Sequence, residues 1–425
     1  MGIKSLTQII RKECPNGIKH ENLTILSGKK VAVDASLIIY QQLLRHQLLK
    51  NKKGEITNHI TGLFYKLVNY LSHNIELIFI FDGRPPQLKR ECIEERRKKA
   101  SDAKDKMDAC ENGEAKDKLE KTTLRLTKDM VDNVKRLLSY LGISYIHMDV
   151  GEGEAIAAEL CRIGYVDYVL TEDMDTLVGG CPRIIRNCID KSVKCKDIIS
   201  VLYHEEILKG LGLTEEQFIK YCILCGCDYC SNIPRVGNVM ALKMIKKHNT
   251  VEEIVETYKD KYKIPENYIE LFNKSYEIFM MHRDKINPEK DIRRSNQDLG
   301  GLIQFLVNDV EMDEIRVQNG IKYLTERIIK HIDNICWFNA DKVREMVNDW
   351  DFSDKGRMRQ SERMKTFADF ESKHGRIVIC DFVAPTNRTR DLFNADFKIW
   401  MNTHTKSKYE NTNKIFEEPS NCNIV

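Results

Sequence analysis

Five short acidic clusters, each closing an apolar run or opening a helix, constrain this chain more than anything else in it. They are VAVDAS, LIFIFDG, GEGEA, VLTEDMDT and CGCDYC, and they carry Asp34, Asp82, Glu152, Glu154, Asp173, Asp175 and Asp228. A strand that ends in one Asp is common. Five such clusters spread over about 200 residues are not. In a parallel sheet, ligands gather outside the carboxyl ends of the strands. Acids placed there converge into one acidic pocket. That much like charge is costly unless cations neutralise it. Hard, oxygen-preferring divalent ions such as Mg²⁺ are the natural partners. Two of them a few ångströms apart would activate a water and stabilise a leaving oxygen at a phosphodiester.

The surrounding pattern is that of an α/β domain. Lys30–Val33 reads as a short buried strand into Asp34, followed by an apolar helical run over Ala35–Leu49. Glu76–Phe81 is a second strand, ending in Asp82-Gly83. Leu126, Met130, Val134, Leu138 and Leu141 recur near the helical period, and Gly142 stops that helix. Ser144–His147 reads as a strand, Glu154–Ile163 as a helix and Tyr168–Leu170 as a strand. Strands alternating with helices indicate a mostly parallel sheet flanked by helices. Residues 203–330 lose the strand signal and read as largely helical.

Composition excludes some classes and leaves others open. A chain of 425 residues can bury a sizeable core and suggests two or three structural units. No apolar run approaches a membrane span, and no secretory signal opens the chain. Fourteen cysteines at irregular spacing then fit reduced thiols in an intracellular setting. The net charge of +3 says little about nucleic acid, but its distribution says more. Residues 84–106 hold nine Lys/Arg against five acids, beside the acidic clusters. Alone, such a run reads as a solvated helix face. Next to a metal pocket it suits a phosphate backbone.

The order and context of these motifs resemble the flap endonuclease family of structure-specific 5′ nucleases. The resemblance runs from MGIKSLTQII through GKKVAVDASLIIYQ, GEITNHITGLFYK and IFDGRPPQLKRE. It continues through GEGEAIAAEL, TEDMDTLVGG and LTEEQFIKYCILCGCDYCSNIPRVG, and covers roughly residues 1–330. It implies a PIN-like nuclease domain with a helical arch over residues 84–135 and a helix–two-turn–helix at about 218–248. The expected layout is an N-terminal nuclease region over 1–105 and an internal one over 140–255. A helical C-terminal region follows over 256–350, then a linker or exposed helix over 351–373. Residues 374–425 resemble the later half of an adenylylsulfate-kinase-like domain. No GxxxxGK[ST] phosphate loop occurs in the chain, so no kinase activity is expected of that fragment.

The resemblance also assigns roles. Asp34, Asp82, Glu152 and Glu154 match the first metal-binding group, and Asp173, Asp175 and Asp228 the second. Taken singly, each acid has a plain structural reading. Asp34 could cap a helix, Asp82-Gly83 could be a turn, and Glu152 and Glu154 could be acids favoured by a helix dipole. Asp173 and Asp175 could form a loop or a lone calcium site. The set of seven in family order favours two Mg²⁺ ions, with Mn²⁺ able to substitute. Lys89 and Arg96, two helical turns apart, match the basic pair that contacts the scissile phosphate. Tyr40 matches a tyrosine that stacks on the nucleotide near the cut, and Gly2 an N-terminus close to the site. Arg84 belongs to the same basic run. Thr57 matches a residue near a pocket for a one-nucleotide 3′ flap. Asp82 and Glu152 are 70 residues apart, too close for the long spacer of xeroderma pigmentosum G-type bubble nucleases.

NIPRVGNVMALKMI resembles the hairpin that grips duplex phosphates through backbone amides and a K⁺ ion. Gly237 is its glycine, and Lys243, Lys246 and Lys247 are candidate phosphate contacts. Arg235 stands where a first glycine is usual, and Val239 where a lysine is usual. Cys222, Cys225, Cys227 and Cys230 have zinc-like spacing, but the family places cysteines here without zinc. A sliding-clamp peptide would need Q-x-x-aliphatic-x-x-aromatic-aromatic. Gln360 is followed instead by Arg363, Thr366 and Phe367, so weak clamp binding or none is expected.

The implied function is a Mg²⁺-dependent 5′ flap endonuclease with 5′-3′ exonuclease activity, acting on branched DNA in replication and repair. Its setting would be the nucleus of a eukaryote or the host-cell replication site of a virus. The rivals are a Holliday-junction resolvase or 5′ exonuclease of the same superfamily, and a non-catalytic DNA-binding scaffold.

Overall fold

The computed structural model describes residues 3, 5–44, 48–89, 93–94, 98, 101, 124–187, 197–329, 334–400, 410–419 and 422. The chain divides into two compact units, Met1–Leu324 and Thr325–Val425. Among the described residues no helix is long and apolar enough to cross a membrane.

The first unit is built on a seven-stranded sheet. Its strands are β1 (Ile18–Asn22), β2 (Lys30–Asp34), β3 (Glu76–Phe81), β4 (Ser144–His147), β5 (Tyr168–Leu170), β6 (Arg183–Asn187) and β7 (Ile198–Tyr203). Their spatial order is β1-β7-β6-β5-β2-β3-β4. The five strands from β6 to β4 run parallel. β7 lies antiparallel to both β6 and β1. Parallel strands covered on both faces read as unbroken apolar runs. Val31, Ala32 and Val33 of β2 and Leu77 through Phe81 of β3 are accordingly all buried. The strands read from the sequence lie where expected. β1, β6 and β7 extend the sheet at its other edge.

Eleven helices matter for the site. They are α1 (Leu6–Glu13), α2 (Ala35–Leu44), α3 (Asn58–Ser72), α4 (Lys128–Tyr140), α5 (Gly153–Arg162) and α6 (Asp175–Val178). The rest are α7 (His204–Leu211), α8 (Glu215–Cys225), α9 (Asn238–Lys247), α10 (Val251–Tyr258) and α11 (Tyr268–Met280). One large core joins α1, α5, the sheet and α7 to α11. The helix expected over Ala35–Leu49 is described over Ala35–Leu44, and Leu48 and Leu49 are not helical.

The second unit departs from the expected layout. It starts near residue 325, where helical nuclease was expected to run to 350. The reason is a strand pair of long range. β8 (Ile335–Asn339) lies parallel to β9 (Ile377–Asp381). A parallel partner needs a crossover connection. Residues 351–373 supply it as helix α13 (Asp354–Lys373), which follows α12 (Ala340–Met346). α13 is therefore no linker. Met364 and Phe367 pack against Phe338, Val343 and Cys380. Phe338 and Phe367 stack with ring centroids 5.3 Å apart. The opposite sheet face is open, and Ile377 is 61% exposed.

Candidate active site

The strand order reverses between β2 and β5, which makes that crevice the sheet's topological switch point. Asp34 ends β2 there, 6% exposed. Its Oδ1 accepts from the Leu37 N–H at 3.0 Å, and its Oδ2 from the Thr171 hydroxyl at 3.0 Å. The acid thus caps α2 and also ties β2 to the end of β5. Asp82 follows β3, and its Oδ1 accepts from the Gly153 N–H at 2.7 Å. This bond draws the start of α5 over the sheet. The Gly83 N–H donates to the Gly151 carbonyl at 2.9 Å.

Close backbone approach makes Gly151 irreplaceable. Its φ is +110°, and a Cβ there would lie 2.0 Å from Nε2 of the buried His282. Gly151→Ala is therefore expected to destabilise the protein by about 2–4 kcal/mol, from backbone strain plus overpacking. Denaturant unfolding measures this, and a change under 1 kcal/mol would refute the packing seen here.

Glu152 occupies the cap position of α5, but its side chain makes no capping bond. Its Oε2 accepts from the Tyr229 hydroxyl, and its Oε1 pairs with the Lys89 ammonium. Glu154, in the first turn of α5, and Asp228 lie 3.9 and 3.5 Å from the same ammonium. Lys89 Nζ also sits 6.0 Å from the centre of the Tyr229 ring. Asp173 Oδ1 accepts from the Asp175 N–H at 3.1 Å. Asp175 is 4% exposed, and neither of its carboxylate oxygens has a hydrogen-bond partner among the described residues.

This crowding sets the electrostatics. Burial, then the Asp82 charge, pushes Asp34 up to about 7. Burial, then Glu152, raises Glu154 well above the usual carboxylate range. Burial, then Asp173 and Asp228, does the same for Asp175. Burial would depress the Lys89 ammonium, but Glu154, Glu152 and Asp228 outweigh it and hold it above its ordinary value.

The donor set fits hard divalent cations. Every candidate ligand is a carboxylate oxygen, and the two oxygens of Asp175 are buried without a hydrogen-bond partner among the described residues. Among the described residues no three acid, thiol or imidazole groups close tightly around one point. Instead the Lys89 ammonium lies among three of the carboxylates, Glu152, Glu154 and Asp228.

The other candidates lie around this centre or apart from it. Tyr40 is half-buried on α2, and Thr57 is buried just before α3. The Arg84 N–H donates to the Asp149 carbonyl at 2.9 Å, beside the Gly151 loop. Gly2, Arg96 and most of the arch expected over 84–135 lie outside the described residues. Lys243, Lys246 and Lys247 are exposed on α9, where Gly237 stands at the cap position. A Cβ at Gly237 would meet nothing within 4 Å, so the hairpin's outer side is open. The Asn232 amide donates to the carbonyls of Ile233 and Val236 at 3.2 and 3.1 Å. Burial pushes the thiols of Cys225 and Cys227 up to about 12, which suits packed thiols rather than metal-ready thiolates.

Arg235 carries a φ of +68°, the left-handed conformation that a glycine adopts without steric cost. Arg235→Gly is expected to raise stability by about 1 kcal/mol while weakening duplex binding. A melting curve and a salt-dependent binding titration check the two halves separately.

Tyr229, Thr171 and His282 were not visible as site residues in the sequence. Tyr229 adjoins Asp228, but nothing in CGCDYC says that its phenol reaches Glu152. Thr171 opens TEDMD and reads there as a loop residue.

The family models for the XPG N-terminal domain and the XPG I-region match residues 1–103 and 142–228. Flap endonuclease 1 of Lodderomyces elongisporus is 36% identical over 337 residues, 76% of this chain and 87% of the relative. Flap endonuclease 1 of Anoplopoma fimbria is 37% identical, covering 76% and 86%. Among solved structures, flap endonuclease-1 of Methanococcus jannaschii superposes with a TM-score of 0.56 at 27% identity, covering 74% of this chain and 97% of that one. The catalytic core of Rad2 in complex with DNA substrate shares the fold, with a TM-score of 0.55 at 24% identity, covering 76% and 100%.

Proposed function

The chain belongs to the flap endonuclease family, and on that premise we propose how its residues divide the work of a structure-specific flap endonuclease. Enzymes of this family hydrolyse phosphodiester bonds and depend on divalent metal. The finer reading is that the ions are two Mg²⁺, with Mn²⁺ able to substitute. Asp34, Asp82, Glu152 and Glu154 would hold one, and Asp173, Asp175 and Asp228 the other. Bound there, the ions neutralise the phosphate and lower the pKa of the attacking water. The observation that carries this reading is the buried Asp175, without a hydrogen-bond partner among the described residues, in a cluster where Glu152, Glu154 and Asp228 share the Lys89 ammonium.

The chain's own groups do the rest. Thr171 and the Gly153 amide orient Asp34 and Asp82, so one oxygen of Asp82 stays available to the cavity. Lys89 lies against Glu152, Glu154 and Asp228. A phosphodiester bound beside them would offer its ammonium an anion in place of the carboxylates, and charge growing on the phosphate would strengthen the contact. Arg96 is proposed as its partner. Tyr40 is proposed to stack on the nucleotide beside the cut, and Thr57 to border a 3′-flap pocket. Gly2 would lie near the site as the N-terminus. Lys243, Lys246 and Lys247 would grip the duplex behind the junction, and Arg84 the strand entering the arch. A K⁺ ion at the hairpin would compete with the Asn232 amide for the carbonyls of Ile233 and Val236.

The C-terminal unit is proposed to be dispensable for cutting simple flaps. A cut at residue 350 would strand β8 and α12 without α13 and β9, so the informative truncation is near residue 330. Clamp binding through 351–373 is expected to be weak or absent. The Gln360 amide donates to the Ala340 carbonyl at 3.1 Å, and Arg363 pairs with Asp349 at 2.9 Å. The proposed setting is wherever DNA flaps arise in replication and repair, a nucleus or a viral replication site.

Cleavage of matched 5′-flap, nicked, bubble and four-way DNA with Mg²⁺, Mn²⁺ or chelator tests the whole reading. The expected result is metal-dependent cutting fastest on the 5′ flap, leaving a 5′-phosphate and a 3′-hydroxyl. Preference for the four-way junction would favour a resolvase, toward which the Arg235 hairpin leans. No cutting with either metal would favour a scaffold.

A further inference from the structure

We propose that Tyr229 is a positioning residue that sets Glu152 for metal binding and couples the two groups of ligands. The proposal rests on the metal-dependent nuclease reading above. Tyr229 is 7% exposed, and its hydroxyl donates to Glu152 Oε2. A buried phenol needs such a partner, and a carboxylate that accepts it has lost one of its rotational options. Oε1 is thereby turned toward Lys89 and the cavity. The ring is itself held edge-on against Phe279 of α11, with centroids 5.4 Å apart.

Position in the chain gives the contact its meaning. Tyr229 directly follows Asp228, which reaches the Lys89 ammonium from the second group. Glu152 reaches the same ammonium from the first. One dipeptide thus supplies an acid to one group and a donor to a ligand of the other. Displacement of the loop between α8 and α9, which also leads into the hairpin, would shift both at once.

Tyr229→Phe keeps the ring and removes the bond. Mn²⁺ titration followed by electron paramagnetic resonance, without DNA, reads the effect apart from catalysis. The expected result is affinity lower by about 10–100-fold. Cleavage should be lost at low metal and recovered at high metal. In a Glu152→Ala background the same substitution should add nothing. Phe279→Leu, which loosens the ring but keeps the hydroxyl, should lower affinity by much less than Tyr229→Phe does. An unaltered isotherm for Tyr229→Phe overturns the proposal, as does an equal loss in Phe279→Leu or a full further loss in the Glu152→Ala background. Wild-type protein that binds no Mn²⁺ overturns the metal reading and this proposal with it. Wild-type binding with an unchanged Tyr229→Phe overturns this proposal alone.

Discussion

Asp175→Ala is expected to abolish flap cleavage while making the metal-free protein more stable. Both effects follow from a buried carboxylate with no hydrogen-bond partner among the described residues. A metal contributes several kcal/mol to the transition state, so losing one of its ligands should lower the rate by on the order of 10³-fold or more. Stability runs the other way. Asp175 and Glu154 are raised well above the usual range, and Asp34 to about 7. An acid raised in the folded state binds protons that the unfolded chain has already released. Its stabilisation is full below the unfolded value near 4 and is lost as pH rises through the folded one. With chelator present, the wild-type melting temperature should therefore fall as pH rises from about 4 through about 7. Asp175→Ala should flatten that fall, and saturating Mg²⁺ should oppose it in the wild type alone. Full Mg²⁺-dependent activity in the variant would sink the ligand assignment.

The second large effect is expected at Lys89. Lys89→Ala should reduce the single-turnover rate by about 10²–10³-fold, the usual loss for one donor aimed at developing charge. Flap affinity should change much less. The metal-free protein offers a further readout, because Lys89 there neutralises Glu152, Glu154 and Asp228. Removing it leaves those acids without their shared cation, so chelated Lys89→Ala should melt below the wild type, most of all at high pH. A loss in affinity equal to the loss in rate, with unchanged melting, would reduce Lys89 to a backbone contact.

The parts of this site that could be read from the sequence are those that strand and helix ends dictate. Asp34 and Asp82 close runs so apolar that only a buried strand accommodates them, and the acid after such a run stands at the sheet's carboxyl edge. Glu152 and Glu154 bracket Gly153 at a helix start. Because Glu152 is still extended at the cap while Glu154 is in the first turn, both can reach one cavity. β1 escaped because IKHEN carries no alternation. It is a charged edge strand held by β7, about 180 residues away. β8 escaped because ICWFN acquires its meaning only from β9, across a 20-residue helix. Side-chain direction was hidden for a different reason. Lys89 follows a pair of prolines and was read as facing substrate. Which anion holds its ammonium in the metal-free protein depends on three elements meeting around it.

The pairing of β1 with β7 also sets a timetable for synthesis. Residues 18–22 are made well before their partners, residues 198–202. At roughly 5–20 residues per second, the intervening chain takes about 9–36 s to make. Asp228 comes later still. Throughout that interval the nascent chain holds several of its acids but neither a closed sheet edge nor a complete set of ligands. Cleavage that uses the proposed ligands therefore waits until the chain has been made through Asp228.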